Sequence, residues 1–248
     1  MPRYKLILEY DGGPFVGWQR QENGPSVQGA LEAAARAFTG ADVTAHAAGR
    51  TDAGVHALAM GAHLDLPGGH SAATVRDALN QHLKPAPIAV LSAEEASEDF
   101  HARFSARARH YLYRIVNRRA PLTLQAGRAF LVQGRIDIAP MREAAALLIG
   151  KHDFTTFRSA QCQSASPVKT LTALVIEQSG ERIDIYASAP SFLHHQVRSI
   201  AGTLLQAGLG RWSPAQVKAA RDAADRAACG PVAPAHGLYF LKADYDRT

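Results

Sequence analysis

The residues with the most chemical potential lie together in Gly49-Arg50-Thr51-Asp52-Ala53-Gly54-Val55-His56-Ala57. An acid and a base stand two residues apart, bracketed by glycines that permit close backbone approach. In an extended segment Arg50 and Asp52 project to the same side. A carboxylate held beside a guanidinium stays ionised, which suits a nucleophile or a base. The same spacing also describes an ordinary turn with a surface carboxylate, and spacing alone does not separate the two. The 11 histidines raise the question of a metal, with His194-His195 and the pair Asp52/His56 as candidates. Adjacent histidines normally point apart and no HExxH or Cys/His set accompanies them, so no metal is expected. Gly12-Gly13 and Gly208-Leu209-Gly210-Arg211 read as turn glycines, not as a phosphate loop or dinucleotide fingerprint. A nucleotide cofactor is therefore not expected either.

Such groups need a scaffold, and the hydrophobic patterning writes a mixed one. Tyr4 to Tyr10 reads as a strand with Leu6, Leu8 and Tyr10 on one face. A helix follows Ser26 and stops at Gly40, with Val27, Leu31, Ala34, Ala35 and Phe38 at helical spacing. Strand-like segments flank Asp52 and recur from His63 to Leu66. A second helix covers about Thr74 to Leu83, stopped by Pro85, and a strand runs through Ile88 to Leu91. His110 to Val116 is a further strand whose period of two, if extended, lines up Arg107, Arg109, Tyr111 and Tyr113. Ala120 to Gly134 reads as a connector with one short strand. Pro140 opens a helix that Gly150 ends. Leu171–Gln178 and Glu181–Ala187 form a hairpin about Ser179-Gly180. A core helix spans Gln196 to Leu209, and Ser213-Pro214-Ala215-Gln216 starts a last helix that runs to about Ala228. The expected class is α+β, with two similar halves divided as residues 1–105, carrying the Asp52 loop, and 106–248.

Composition bounds what these elements serve. The 248 residues are 47% hydrophobic, enough for a substantial core and too much for general disorder. No run of about 18 apolar residues appears, so no membrane span is expected. The opening Met-Pro-Arg-Tyr-Lys-Leu-Ile-Leu-Glu-Tyr is too regularly charged for a signal peptide. Cys162 and Cys229 form no CxxC pair, and a reducing cytoplasmic setting fits. The net charge is +5, but it is concentrated. Phe100 to Ile136 contains no Asp or Glu and eight arginines: Arg103, Arg107, Arg109, Arg114, Arg118, Arg119, Arg128 and Arg135. Without them the rest of the chain carries −3. A preference for Arg over Lys explains the residue choice but not the missing acids. Localised positive charge points to a polyanion, most simply nucleic acid.

The nonapeptide around Asp52 resembles the GRTDxGVHA signature of the TruA family of tRNA pseudouridine synthases. Further matching stretches are Phe15-Val16-Gly17-Trp18-Gln19, Phe100-His101-Ala102-Arg103-Phe104-Ser105 and Arg109-His110-Tyr111-Leu112-Tyr113. In the second half they are His152-Asp153-Phe154-Thr155-Thr156-Phe157, Phe192-Leu193-His194-His195-Gln196-Val197-Arg198 and Gly237-Leu238-Tyr239-Phe240. One departure is Gln196, where many family members carry Met. The resemblance implies a mainly antiparallel sheet with flanking helices and two halves around a central cleft. It implies isomerisation of uridine to pseudouridine at positions 38, 39 and 40 of the tRNA anticodon stem-loop, by a cytoplasmic homodimer without a cofactor. By the same resemblance Asp52 is the nucleophilic aspartate, Arg198 pairs with it, and Arg50 supports base flipping. Tyr111 stacks on the target base, an aromatic platform replacing the base's lost neighbours. Arg107 and Arg109 are expected to bind the RNA. Two other readings fit parts of the pattern: a tRNA-binding or folding protein without catalysis, and a carboxylate-dependent hydrolase of a glycosidic bond.

Overall fold

A computed structural model describes residues 1–246. The chain divides into two compact units: residues 1–107 with 239–248, and residues 108–238. A division drawn along the sequence leaves the last strand with the second half, whereas the compact units group residues 239–248 with the first.

In the first unit, strand β1 (Arg3–Tyr10) buries Tyr4, Leu6, Leu8 and Tyr10 on one face. It pairs antiparallel with β3 (His56–Asp65) on one side and β4 (Ile88–Ala96) on the other. The two-residue β2 (His46–Ala47) lies antiparallel to β3, and β11 (Leu238–Tyr245) runs parallel to it. Helix α1 (Val27–Thr39) starts where the Ser26 side chain accepts a bond from the Gly29 N–H and ends at Gly40, which takes a left-handed φ of 74°. Helix α2 (Ala72–Leu83), capped by Ser71, packs on α1 and β4 through Val75, Leu79 and Leu83. The first helix was legible because cap and apolar stripe agree; the second begins two residues before the expected Thr74, at its Ser71 cap. Strand β4 runs five residues past the expected Leu91.

In the second unit, β5 (Ala106–Asn117), β10 (Arg182–Ala189) and β9 (Ala173–Ser179) form an antiparallel sheet, with β6 (Phe130–Val132) parallel to β5. β9 and β10 form the expected hairpin, turning at Gly180 with φ 59°. A separate ribbon joins β7 (Gly150–Asp153) to β8 (Val168–Leu171). Helix α3 (Ile138–Ala146) begins at the Asp137 cap, not at Pro140. Pro140 sits in the first turn, where a missing N–H costs nothing. Gly150 does not end this helix; it opens β7 with φ 109°. Helix α4 (Gln196–Gly208) is buried along most of its length. Helix α5 (Pro214–Asp222) carries the expected capping box between Ser213 and Gln216. It stops well short of Ala228, because Asp225 donates its N–H to Thr156 Oγ1 and caps a separate 3₁₀ turn at Arg226–Ala228.

Candidate active site

In the first unit, the segment that leads to Asp52, between β2 and β3, is strapped in place by its backbone. Asp52 forms an isolated antiparallel bridge with Gly17, and the Trp18 N–H donates to Thr51 O at 3.0 Å. Thr51 is turned inward and buried, its hydroxyl 2.9 Å from the Tyr10 phenol. Arg50 is exposed and Asp52 half-buried, so the alternation agrees with a common outward side for these two. The chain then turns, with the Val55 N–H donating to Asp52 O at 3.1 Å and Gly54 at φ 76°. Gly17 is obligatory here: at φ 117°, a Cβ would lie 2.5 Å from Thr51 O. Gly12 is equally tight, since a Cβ there would meet Val55 O at 2.0 Å.

His56 closes the far side of this turn. It is buried, stacks on Tyr239 with ring centroids 4.8 Å apart, and accepts the Gly12 N–H at Nδ1 over 3.0 Å. Asp11 Oδ1 also lies 3.2 Å from Nδ1. His56 thereby pins the Gly12 loop to the residues that follow Asp52.

In the second unit, Tyr111 and Tyr113 have different fates although two residues apart. Tyr113 is fully buried and donates its hydroxyl to Pro234 O at 2.9 Å. Burial pushes its phenol well above the usual range, against an opposing pull from the Arg198 charge, so it stays neutral. Tyr111 remains half-exposed. It lies opposite Ala187 on β10, whose methyl leaves room above the sheet, and its ring meets Phe192 edge-on at 5.0 Å. Phe192 stood in a recognised stretch without a role, and its packing on Tyr111 is a long-range contact.

The loop carrying Phe192 is tied at several points. Arg109 Nη1 donates to Pro190 O at 2.7 Å, the Leu193 N–H to Gln196 Oε1 at 2.8 Å, and the Ser159 N–H to His194 O at 2.9 Å. His195 enters α4 with a left-handed φ of 65°, an uncommon conformation for a non-glycine residue. Gln196 is buried with Nε2 lacking a hydrogen-bond partner. Arg198 is the third residue of α4, where a cation opposes the positive end of the helix dipole. Its Nε donates to Ala233 O at 2.9 Å, and its carbonyl receives the Ala233 N–H at 3.1 Å. That reciprocal clamp depends on Gly202, where a Cβ would lie 1.8 Å from Pro231 O.

The acid-free arginine stretch is only partly free of acids in space. Arg107 meets Asp246 through Nε at 3.0 Å and Nη2 at 2.6 Å. Arg114 forks onto buried Asp184 at 2.9 and 3.1 Å, and Arg118 lies 3.3 Å from Glu181. Linear charge counting missed these partners because each comes from a distant segment. The Arg107 pair is open to water on both sides and weakened by solvent screening, so a phosphate can displace Asp246. Arg114 serves the sheet instead. Arg103, Arg119, Arg128 and Arg135 are exposed.

A family model described as tRNA pseudouridine synthase matches residues 6–105 and 144–246, and the chain belongs to that family. It is 58% identical over 245 residues to a tRNA pseudouridine synthase A of Maricaulis maris, covering 99% of this chain and 98% of that one. It is 57% identical to the proteins of the same description from Afipia carboxidovorans, over 99% of this chain and 100% of the relative, and Brucella melitensis, over 99% and 98%.

Proposed function

We propose that this chain isomerises uridine to pseudouridine at positions 38, 39 and 40 in the anticodon stem-loop of tRNA, with Asp52 as the catalytic carboxylate. Asp52 initiates cleavage of the N1–C1′ bond, and uracil departs with the bonding electron pair. The base turns and rejoins C1′ through C5; the C5 hydrogen is lost as a proton and N1 gains one. The sum is an isomerisation with no atom or electron gained or lost, so the balance calls for no redox partner. A carboxylate suits the electron-poor ribose carbon, as it does in glycoside chemistry.

Tyr111 supplies the face on which the extruded uracil stacks. Arg198 keeps the aspartate charged, and Arg50 supports the space the base vacates. Arg107 and Arg109 contribute to RNA binding, and the enzyme works as a cytoplasmic homodimer. The observation that carries the reading is the presentation of Asp52: its neighbour Thr51 is tied inward while glycine approaches hold its segment. The placement of Arg198 at the unfavourable end of a helix dipole supports a role beyond stability.

The test is incubation of the purified chain with unmodified tRNA transcripts, followed by pseudouridine mapping. Pseudouridine confined to positions 38–40 is the expected result. Release of free uracil identifies a hydrolase, and binding without any modification identifies a non-catalytic RNA protein; either outcome overturns the proposal.

A further inference from the structure

Phe104 is the only exposed phenylalanine, tyrosine or tryptophan among the described residues, with 77% of its surface open. A lone exposed apolar side chain is ordinary by itself. Three observations set this one apart. Its turn is locked: the His101 N–H donates to Ser105 Oγ at 2.9 Å, the Ser105 N–H to His101 O at 2.9 Å, and the Arg103 N–H to His101 Nδ1 at 3.1 Å. Ala102 is held from below, its N–H on His63 Nδ1 at 3.1 Å and its carbonyl receiving the Tyr245 hydroxyl at 2.9 Å. The ring is therefore held outward by fixed backbone rather than by a mobile tip.

Phe104 also rests on an aromatic base. Its centroid is 4.4 Å from that of His101, which lies 4.7 Å from His63 and 5.2 Å from His46. Burial, then the neighbouring imidazoles and Arg3, hold the His63 ring down at about 4, and His101 is lowered chiefly by burial. The His63 and His101 rings are thus neutral near pH 7. Finally, a cation stands beside Phe104: the exposed Arg103 guanidinium lies 5.8 Å from the ring centroid.

We propose that Phe104, with Arg103 beside it, is a stacking platform for an unpaired base of the substrate RNA, additional to the contact assigned to Tyr111. A rigid aromatic face next to a cation fits a nucleotide, offering stacking to the base and charge to its phosphate. A second copy of the chain fits less well, because a self-contact centred here brings two Arg103 guanidinium groups together. The inference rests on the reading that the chain acts on tRNA.

The experiment measures tRNA transcript binding across a salt series for the full chain and for Phe104→Ala and Phe104→Trp, with melting temperature and sedimentation alongside. Phe104→Ala is expected to weaken binding about tenfold, leaving the salt slope unchanged because no phosphate contact is lost. Melting should stay within about 2 °C, as for an exposed substitution. Phe104→Trp should bind within about twofold of the parent, since stacking survives. Phe104→Ala binding as tightly as the parent overturns the platform, and so does a shift to a smaller sedimenting species, which assigns the face to a second copy. A parent chain that binds no tRNA sinks the functional reading as well. A parent that binds and modifies tRNA while Phe104→Ala matches it sinks the platform alone.

Discussion

Asp52 in the first unit and Arg198 in the second are held by different means. Around Asp52 the work is done by backbone: a bridge to Gly17, a turn closed by Val55, and two glycines at which no Cβ fits. Around Arg198 and Tyr111 side chains carry more of it: a guanidinium on Ala233 O, a glutamine on the Leu193 N–H, and Phe192 against the tyrosine ring, beside one backbone bond from the Ala233 N–H to Arg198 O. A backbone-framed group tolerates no change at the glycines of its frame, and here two side-chain ties, His56 on Gly12 and Thr51 on Tyr10, brace it. A side-chain-framed group is tuned by individual atoms and survives small changes at reduced precision.

That contrast yields graded expectations. Gly17→Ala breaks the backbone frame, combining an unfavourable φ with a contact at 2.5 Å. It should lower turnover by more than about 100-fold through displacement of Asp52, and stability by about 3 kcal/mol. Steady-state kinetics and denaturant melts check both; wild-type turnover would show that the frame is not needed. Arg198→Lys keeps the charge and loses the planar fork. Turnover should fall by roughly tenfold to 100-fold with RNA affinity within threefold, and stability should fall by no more than about 1 kcal/mol. Unchanged turnover in the lysine variant would reduce Arg198 to a structural tie.

The smallest effect at neutral pH concerns the histidine stack of the first unit. His63 is held at about 4 in the folded chain, against its ordinary 6.5. The unfolded chain therefore binds the extra proton first, so this contribution is complete above 6.5 and is lost as pH falls from there through about 4. The contribution reaches at most about 3 kcal/mol. His63→Gln should flatten that part of the stability profile, measured by denaturant melts between pH 7 and 4, without changing turnover at pH 7. A parallel profile in the variant would remove His63 as the source.

The sequence made the capped helices legible because local signals agreed with the tertiary result, as Ser26 with Gly40 and Ser213 with Gln216 show. It overran α5 because the alanines after Asp222 suit a helix, while the bond from the Asp225 N–H to Thr156 Oγ1 comes from a distant segment. Strands β7, β8 and β11 passed unread; the first two have only four residues each, too few to show a period. At the candidate site, Asp52, Tyr111 and Arg198 came through the family resemblance. Their supports could not: Gly17 beneath Thr51, Gly202 beneath Pro231 and Phe192 against Tyr111 are contacts between residues far apart in sequence. A glycine inside an apolar helix, such as Gly202, is the one local hint of close approach.

On the proposed function one carboxylate, Asp52, performs the chemistry while other groups bind the RNA. This is tested most directly by assaying Asp52→Ala for pseudouridine formation and tRNA affinity in the same preparation. No detectable pseudouridine at positions 38–40 is expected, with affinity within about threefold of the parent, because binding rests on stacking and phosphate contacts elsewhere. Pseudouridine formed at a rate comparable to the parent would contradict it.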